Sequence, residues 1–170
     1  MSVVLEVEDI KKIRSVQENL DAEIRRKMDI SSEAWKTYMG DLHLIALQQE
    51  VREVVNECHD LWKYWKVKPV DKQKIIEESI DVIHFTMLIA NKQESPSNLL
   101  KKCMEYGAGE GIDDTNRAKL IIEFMYTKDF FRVIEILFNL LNHYGFNRDD
   151  IIREYEKKNK INHERIESGY

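Results

Sequence analysis

The segment Glu78-Ser79-Ile80-Asp81-Val82-Ile83-His84-Phe85 constrains the chain more than any other. On a helix, residues at i and i+3 share a face. Glu78 and Asp81 therefore point the same way, and their stripe continues into Phe85 and Leu88, which are core-type residues. Met87, Ile89 and Ala90 make the second half of this helix apolar nearly all round, the mark of an element central to a fold. An acidic pair in that setting faces a buried or half-buried cavity and needs a partner, for which a divalent cation is the obvious candidate. A second pair of the same spacing, Glu50-Val51-Arg52-Glu53, lies upstream. Everything then turns on whether the two pairs meet.

The rest of the chain favours helices. Six Gly and two Pro are too few for the turns of an all-β protein. The 170 residues fit one domain over 1–170 with a core of its own. A net charge of −5 disfavours a dedicated nucleic-acid binder. Glu6, Glu8 and Asp9 near the start are unlike a signal peptide, and no apolar run reaches the length of about 18 residues that a membrane span needs. The expectation is a cytoplasmic, all-α helical bundle with no membrane partner. Cys58 and Cys103 show no metal-site spacing and suit a reducing compartment.

Periodicity predicts a first helix over 8–28, with Ile10, Ile13, Val16, Leu20 and Ile24 on its apolar stripe. Gln17 and Asp21 lie four apart on a neighbouring face, either solvated or pointing together into a site. Ser31 and Ser32 mark a helix start, with Trp35 and Tyr38 as its apolar anchors. A long helix over 41–63 carries Leu44, Leu47, Val51, Val54, Val55 and Cys58 as core, with Glu50, Glu53 and Glu57 on the flank. It ends in Leu61-Trp62-Lys63-Tyr64-Trp65-Lys66, a dense mixture of flat rings and positive charge. Rings stack on bases and lysines meet phosphates, but the same residues also make an ordinary capped helix end.

The helix of the opening segment is predicted over 72–92; His84 on it is either a ligand-contacting group or a satisfied core histidine. Residues 93–114 read as a loop with a short helix over 98–106, and Gly107-Ala108-Gly109-Glu110-Gly111 lacks the strand and Lys-Ser/Thr of a phosphate loop. One or two apolar helices over 116–143 carry more apolar surface than one face needs, enough to suggest a subunit interface. Gly145 ends that stretch and Asn147 caps the last helix. On it Lys158, Asn162 and Arg165 recur at i, i+4 and i+7, a face suited to polyphosphate or to plain solvation.

Positions 54–77 give 24 residues between Glu53 and Glu78, enough for the second long helix to return antiparallel to the first. Four carboxylates across that seam suit a hard cation such as Mg²⁺, which also binds substrate phosphates. Together with the rings at 62–66 and the basic face at the end, the set reads as a nucleotide polyphosphate hydrolase. Glu50-x-x-Glu53, Lys63-Tyr64-Trp65-Lys66, Glu78-x-x-Asp81 with His84-Phe85, and Lys158-Asn159-x-x-Asn162-x-x-Arg165-x-x-x-Gly169-Tyr170 resemble the all-α NTP pyrophosphatases. Within that superfamily they resemble most the dimeric dUTP diphosphatases of phages, bacteria and trypanosomatids. Two positions depart from the family pattern: Asp21 stands where Asn is frequent, and Ile166 where Gln often follows the Arg.

The resemblance implies hydrolysis of dUTP, and of dUDP as a further substrate, in a cytoplasmic homodimer of a bacterium or phage-infected cell. It implies Mg²⁺, replaceable by Mn²⁺, on Glu50, Glu53, Glu78 and Asp81, with one of these carboxylates activating water. Gln17, Asp21 and Trp62 would contact the base, and Phe85 the deoxyribose, with His84 a lesser sugar contact. Lys63, Lys66, Lys158, Asn162, Arg165 and Tyr170 would hold the phosphates. Two other readings stay open: a pyrophosphatase for another nucleotide such as dCTP, and a non-catalytic helical interaction protein with solvated acidic faces.

Overall fold

The computed structural model describes residues 5–93 and 111–169. Apolar residues at intervals of three and four become helices throughout, and no strand occurs among the described residues. Helix α1 (Val7–Lys27) carries Glu8 and Asp9 in its first turn and Arg25, Arg26 and Lys27 in its last, complementing the helix dipole at both ends. The short α2 (Ser32–Lys36) starts where the serines predict, the Ser31 hydroxyl accepting from the Ala34 N–H at 3.1 Å. Trp35 is buried there as expected, but Tyr38 is 84% exposed and is not an anchor among the described residues.

Helix α3 (Gly40–Glu57) is shorter than the predicted 41–63. At Cys58 the backbone leaves the helical region, and a 3₁₀ turn (His59–Leu61) follows. The Trp62 indole N–H folds back onto the Val55 carbonyl at 2.8 Å, supplying the donor that an ending helix otherwise lacks. Helix α4 (Lys72–Gln93) matches its predicted span. Ile75, Ile76, Ile80, Val82, Ile83, Met87 and Ala90 on it are buried to 2% exposure or less.

The apolar stretch after residue 116 is two helices, α5 (Arg117–Tyr126) and α6 (Phe130–His143). The break comes at Thr127, which is extended, and Asp129, whose carboxylate accepts from the Phe131 N–H at 3.0 Å. The apolar surplus expected here as an interface is largely absorbed inside the chain, since α6 buries Val133, Ile134, Ile136, Leu137, Phe138, Leu140 and Leu141. Ile122 and Tyr126 of α5 stay exposed. Gly145 takes a positive φ of 82°, where a Cβ would be strained, and turns the chain into α7 (Arg148–Ser168). Asn147 and Asp150 cap α7 reciprocally.

Helix α4 is the hub, packing against α3, α1, α6 and α7. Paired contacts set the directions. His43 meets Lys92 at 2.6 Å while Glu50 lies beside Asp81, so α3 and α4 run antiparallel as the 24-residue spacing requires. Arg14 bonds Asn91 and Gln17 bonds His84, so α1 also runs antiparallel to α4. Arg148 meets Asp9, Glu156 meets Lys12, and His163 meets Glu23, which lays α7 parallel to α1. The predicted helix over 98–106, the Gly107–Gly109 run, Cys103 and Tyr170 lie outside the described residues. No described helix is long and apolar enough to cross a membrane.

Candidate active site

The antiparallel seam brings acids of the two helices together. One carboxylate oxygen each from Glu50 of α3 and from Glu78 and Asp81 of α4 lies within 4.8 Å of the other two. All three side chains are half-buried. Glu53, the fourth residue of the expected set, is exposed and stands outside this triple. It is near enough for its charge to push on Glu50 and Glu78. Glu53 shares the i, i+3 spacing of Glu78 and Asp81, yet on α3 it lies on the solvent side of the seam.

Burial and mutual repulsion disfavour the ionised forms. The Glu50 carboxyl is pushed up to about 7, first by burial and then by Asp81 and Glu78. Glu78 is raised by burial and Asp81. Asp81 is also raised by burial, opposed by the Lys158 ammonium, which donates to its Oδ2 at 2.5 Å. An oxygen-only donor set with too little positive charge around it fits a hard divalent cation.

A cavity of about 380 Å³ opens beside the triple, and Glu50 and Asp81 form part of its wall. Gln17, Leu20, Asp21 and Ile24 of α1, His84, Phe85 and Leu88 of α4, and Asn162, Arg165 and Ile166 of α7 complete it, with Met28 at its edge. Here Gln17 and Asp21 are 3% and 1% exposed, which decides against a solvated face. The Gln17 amide N–H donates to Asp21 Oδ1 at 2.8 Å, and Gln17 Oε1 meets His84 Nδ1 at 2.6 Å and the Tyr155 hydroxyl at 3.2 Å. His84 lies stacked on Tyr155, ring centres 4.4 Å apart, and burial lowers it to about 3, so it stays neutral. Burial pushes Asp21 up to about 7 despite the Gln17 bond. Phe85, only partly covered, offers its ring to the cavity.

The predicted basic residues divide. Lys158 reaches the acidic triple, and Asn162 and Arg165 line the cavity. Trp62, Lys63 and Lys66 are not in its wall. Trp62 is turned back onto α3, with the Lys63 ammonium 4.6 Å from its ring centre and bonded to Asn56 at 3.2 Å. Tyr155, whose one sequence signal is that it precedes Lys158 by three residues and so shares its helix face, joins the network of Gln17 and His84. A larger groove of about 530 Å³, lined by Lys11, Arg25, Trp35, Lys36 and Lys92 among others, holds no carboxylate cluster.

The site therefore joins a place for a divalent cation, a cationic flank for phosphates, and an apolar cavity with polar groups at its end. That combination suits a phosphorylated ligand with a flat ring. A family model described as dUTPase matches residues 9–170. No curated protein matches the chain.

Proposed function

Since the chain belongs to the dimeric dUTPase family, we propose that it hydrolyses dUTP, and also dUDP, releasing dUMP and so limiting uracil incorporation into DNA. From dUTP the second product is pyrophosphate. The observation that carries this reading is the acidic triple opening into the wall of a cavity lined by Gln17, Asp21 and Phe85.

Glu50, Glu78 and Asp81 would hold Mg²⁺, or Mn²⁺ in its place, with Glu53 at the edge of the same cluster. When bound there, a divalent cation would supply charge neutralisation for the phosphates and a lowered pKa for a nearby water. One of the four carboxylates takes the proton of the attacking water. Lys158 and Arg165 face the charge that grows on the leaving phosphates, and Asn162 supplies a neutral donor beside them. The Phe85 ring packs against the deoxyribose, where a 2′-hydroxyl would find no partner. Gln17 and Asp21 contact the base.

The whole of 1–170 acts as one catalytic domain in this reading, paired as a homodimer in the cytoplasm. Tyr64, Trp65 and Val67, exposed by 92%, 62% and 96%, give a second copy apolar surface to cover. In that assembly Trp62, Lys63, Lys66 and Tyr170 keep their proposed substrate roles.

A second reading has one observation in its favour. An ionised Asp21 would accept from the exocyclic amine of cytosine, which makes dCTP the alternative substrate. Incubation with each deoxynucleoside triphosphate at pH 6.5, with and without Mg²⁺, separates the two. The proposal expects dUMP and pyrophosphate from dUTP, and no turnover after chelation. Equal cleavage of dCTP or dATP would sink the base assignment, and no cleavage of any would sink the enzyme reading.

A further inference from the structure

The groove of about 530 Å³ between α1, α2 and the end of α4 shares no lining residue with the cavity beside the acidic triple. Helix α1 serves both. Gln17, Leu20, Asp21 and Ile24 turn one stripe to the cavity, while Lys11, Arg14, Glu18 and Arg25 turn a neighbouring stripe to the groove. Lys36 of α2 and Lys92 of α4 complete the charges, so five cations there face one carboxylate. The chain as a whole carries a net charge of −5.

Some of that positive charge is answered within the protein. Lys11 pairs with Glu8 at 2.8 Å, and Arg25 with Glu18 at 2.6 Å. Lys92 is different. It is half-buried, and its ammonium meets only neutral acceptors, the Trp35 carbonyl at 3.2 Å and His43 Nδ1 at 2.6 Å. Burial keeps His43 neutral by lowering it to about 4. Among the described residues no carboxylate lies within ion-pair distance of Lys92, or of Lys36 on the exposed rim. Burial lowers the Lys92 pKa accordingly, with the charge of Asp21 opposing the shift. The Trp35 ring lies under the Arg25 guanidinium and the Lys92 ammonium, 5.2 and 5.9 Å from its centre, and so helps to hold both cations at the groove.

Donors are what the groove has left for a ligand. Glu18 Oε1 is taken by Arg25, and Asn91 Oδ1 by Arg14 Nε at 2.8 Å. An ammonium only donates, so the complement is a ligand rich in acceptor oxygens and negative charge. The volume is that of a small-molecule site and not of a flat protein contact. Arg14 and Arg25 stand eleven residues apart on α1, about 16 Å along the axis. A single phosphate meets one or two of these cations, whereas linked phosphates reach several.

We propose that this groove is a second anion site, which binds an oligophosphate on Lys36, Lys92 and Arg25, either free or as the tail of a nucleoside triphosphate. Its own cations meet the phosphate charge, so it needs no metal. Lys92 follows Asp81 by eleven residues on α4, about 16 Å along that helix, so the groove can fill while the cavity holds substrate. The site stands whether or not the hydrolase reading does.

The test is calorimetric titration of the full chain with inorganic tripolyphosphate, in the presence of a chelator so that the acidic triple holds no cation. The unaltered protein should give a saturable heat with one site per chain. Lys36→Glu, an exposed change that leaves the packing alone, should weaken binding by about tenfold or more. Lys92→Met should weaken it to a similar extent. Lys158→Met alters the flank of the acidic triple and not the groove, and should bind as the unaltered protein does. Titration with ATP, with Lys36→Glu as its reference, separates the two sources. Equal affinity means that the phosphate chain alone is recognised, tighter binding means that the nucleoside adds contacts, and either result keeps the site. No saturable binding, or an unchanged affinity in Lys36→Glu, would overturn the inference. So would a loss in Lys158→Met, which would place the anion at the acidic triple. Binding of a single-stranded oligonucleotide in place of tripolyphosphate would make the groove a nucleic-acid contact and overturn it as well.

Discussion

Two helix seams of this protein hold partly buried carboxylates, and they treat them in opposite ways. Between α1 and α7, Asp9 receives Nε and a terminal nitrogen of Arg148, each at 2.6 Å. The Arg148 hydrogen bond holds its carboxyl below the ordinary range. Between α3 and α4, Glu50, Glu78 and Asp81 face one another; burial raises all three, and Asp81 pushes Glu50 and Glu78 up further. The ammonium of Lys158 answers only part of that charge. The first seam is electrostatically complete as folded. The second concentrates negative charge where a cavity opens, an arrangement that serves a ligand better than it serves stability.

The contrast breaks most visibly at the acidic triple. Asp81→Asn should lower kcat/KM by on the order of 10³-fold, while the metal-free protein melts no lower than the unaltered one, since a repulsive charge is gone. Steady-state rates and thermal melts on one preparation read both. A loss of activity accompanied by a collapse in melting temperature would make Asp81 a structural residue instead.

A smaller change tests the flank. Lys158→Met removes one charge-assisted contact and should cost about tenfold in kcat/KM, mostly through KM. If kcat alone falls, Lys158 acts on the carboxylates and not on the phosphates.

The completed seam should give the mirror image. Arg148→Met should lower the melting temperature and leave kcat/KM where it was. A matching loss of activity would mean that the two seams are coupled through α7.

The subtlest difference lies in pH. Asp9 has a lowered carboxyl, so its stabilisation is present above its ordinary value of 3.8 and is lost as pH falls further. The triple has the opposite sign: the folded state binds more protons than the unfolded chain between 4.5 and about 7, the range for Glu50. The contribution of Glu50 to stability should therefore decline as pH rises through that window, against the opposite slope that the lowered His43 and His84 give below 6.5. Melting temperatures taken across it should shift upward with pH in Glu50→Gln relative to the unaltered protein, because that declining contribution is gone. Some slope will remain, because Asp21 is raised to about 7 as well. Identical slopes would mean that the triple is not strained.

Much of this contrast could be read from the chain. Glu78, Asp81 and Phe85 share a helical stripe, and the 24-residue return brings Glu50 to meet them. Local chemistry also located Ser31, Gly145 and Asn147 at the ends of elements. Periodicity marks faces but not neighbours, and the errors have that origin. Tyr38 sits where a helical anchor should be, yet no described element packs over it. Asp129 is a single cap signal inside a long apolar run, so periodicity alone does not divide α5 from α6. The bond from the Trp62 N–H to the Val55 carbonyl at the end of α3 is likewise a meeting that periodicity does not signal. The tautomer of His84 depends on Gln17 and Tyr155, which approach from two other helices. No one-dimensional pattern encodes that meeting.

The central claim is that the α3–α4 acids form a cation site, and Mg²⁺ titration followed by melting temperature at pH 8 tests it directly. The unaltered protein should show a saturable rise, as binding to the folded state requires, and Asp81→Asn should show none. An equal rise in both, or no rise in the unaltered protein, would contradict the account.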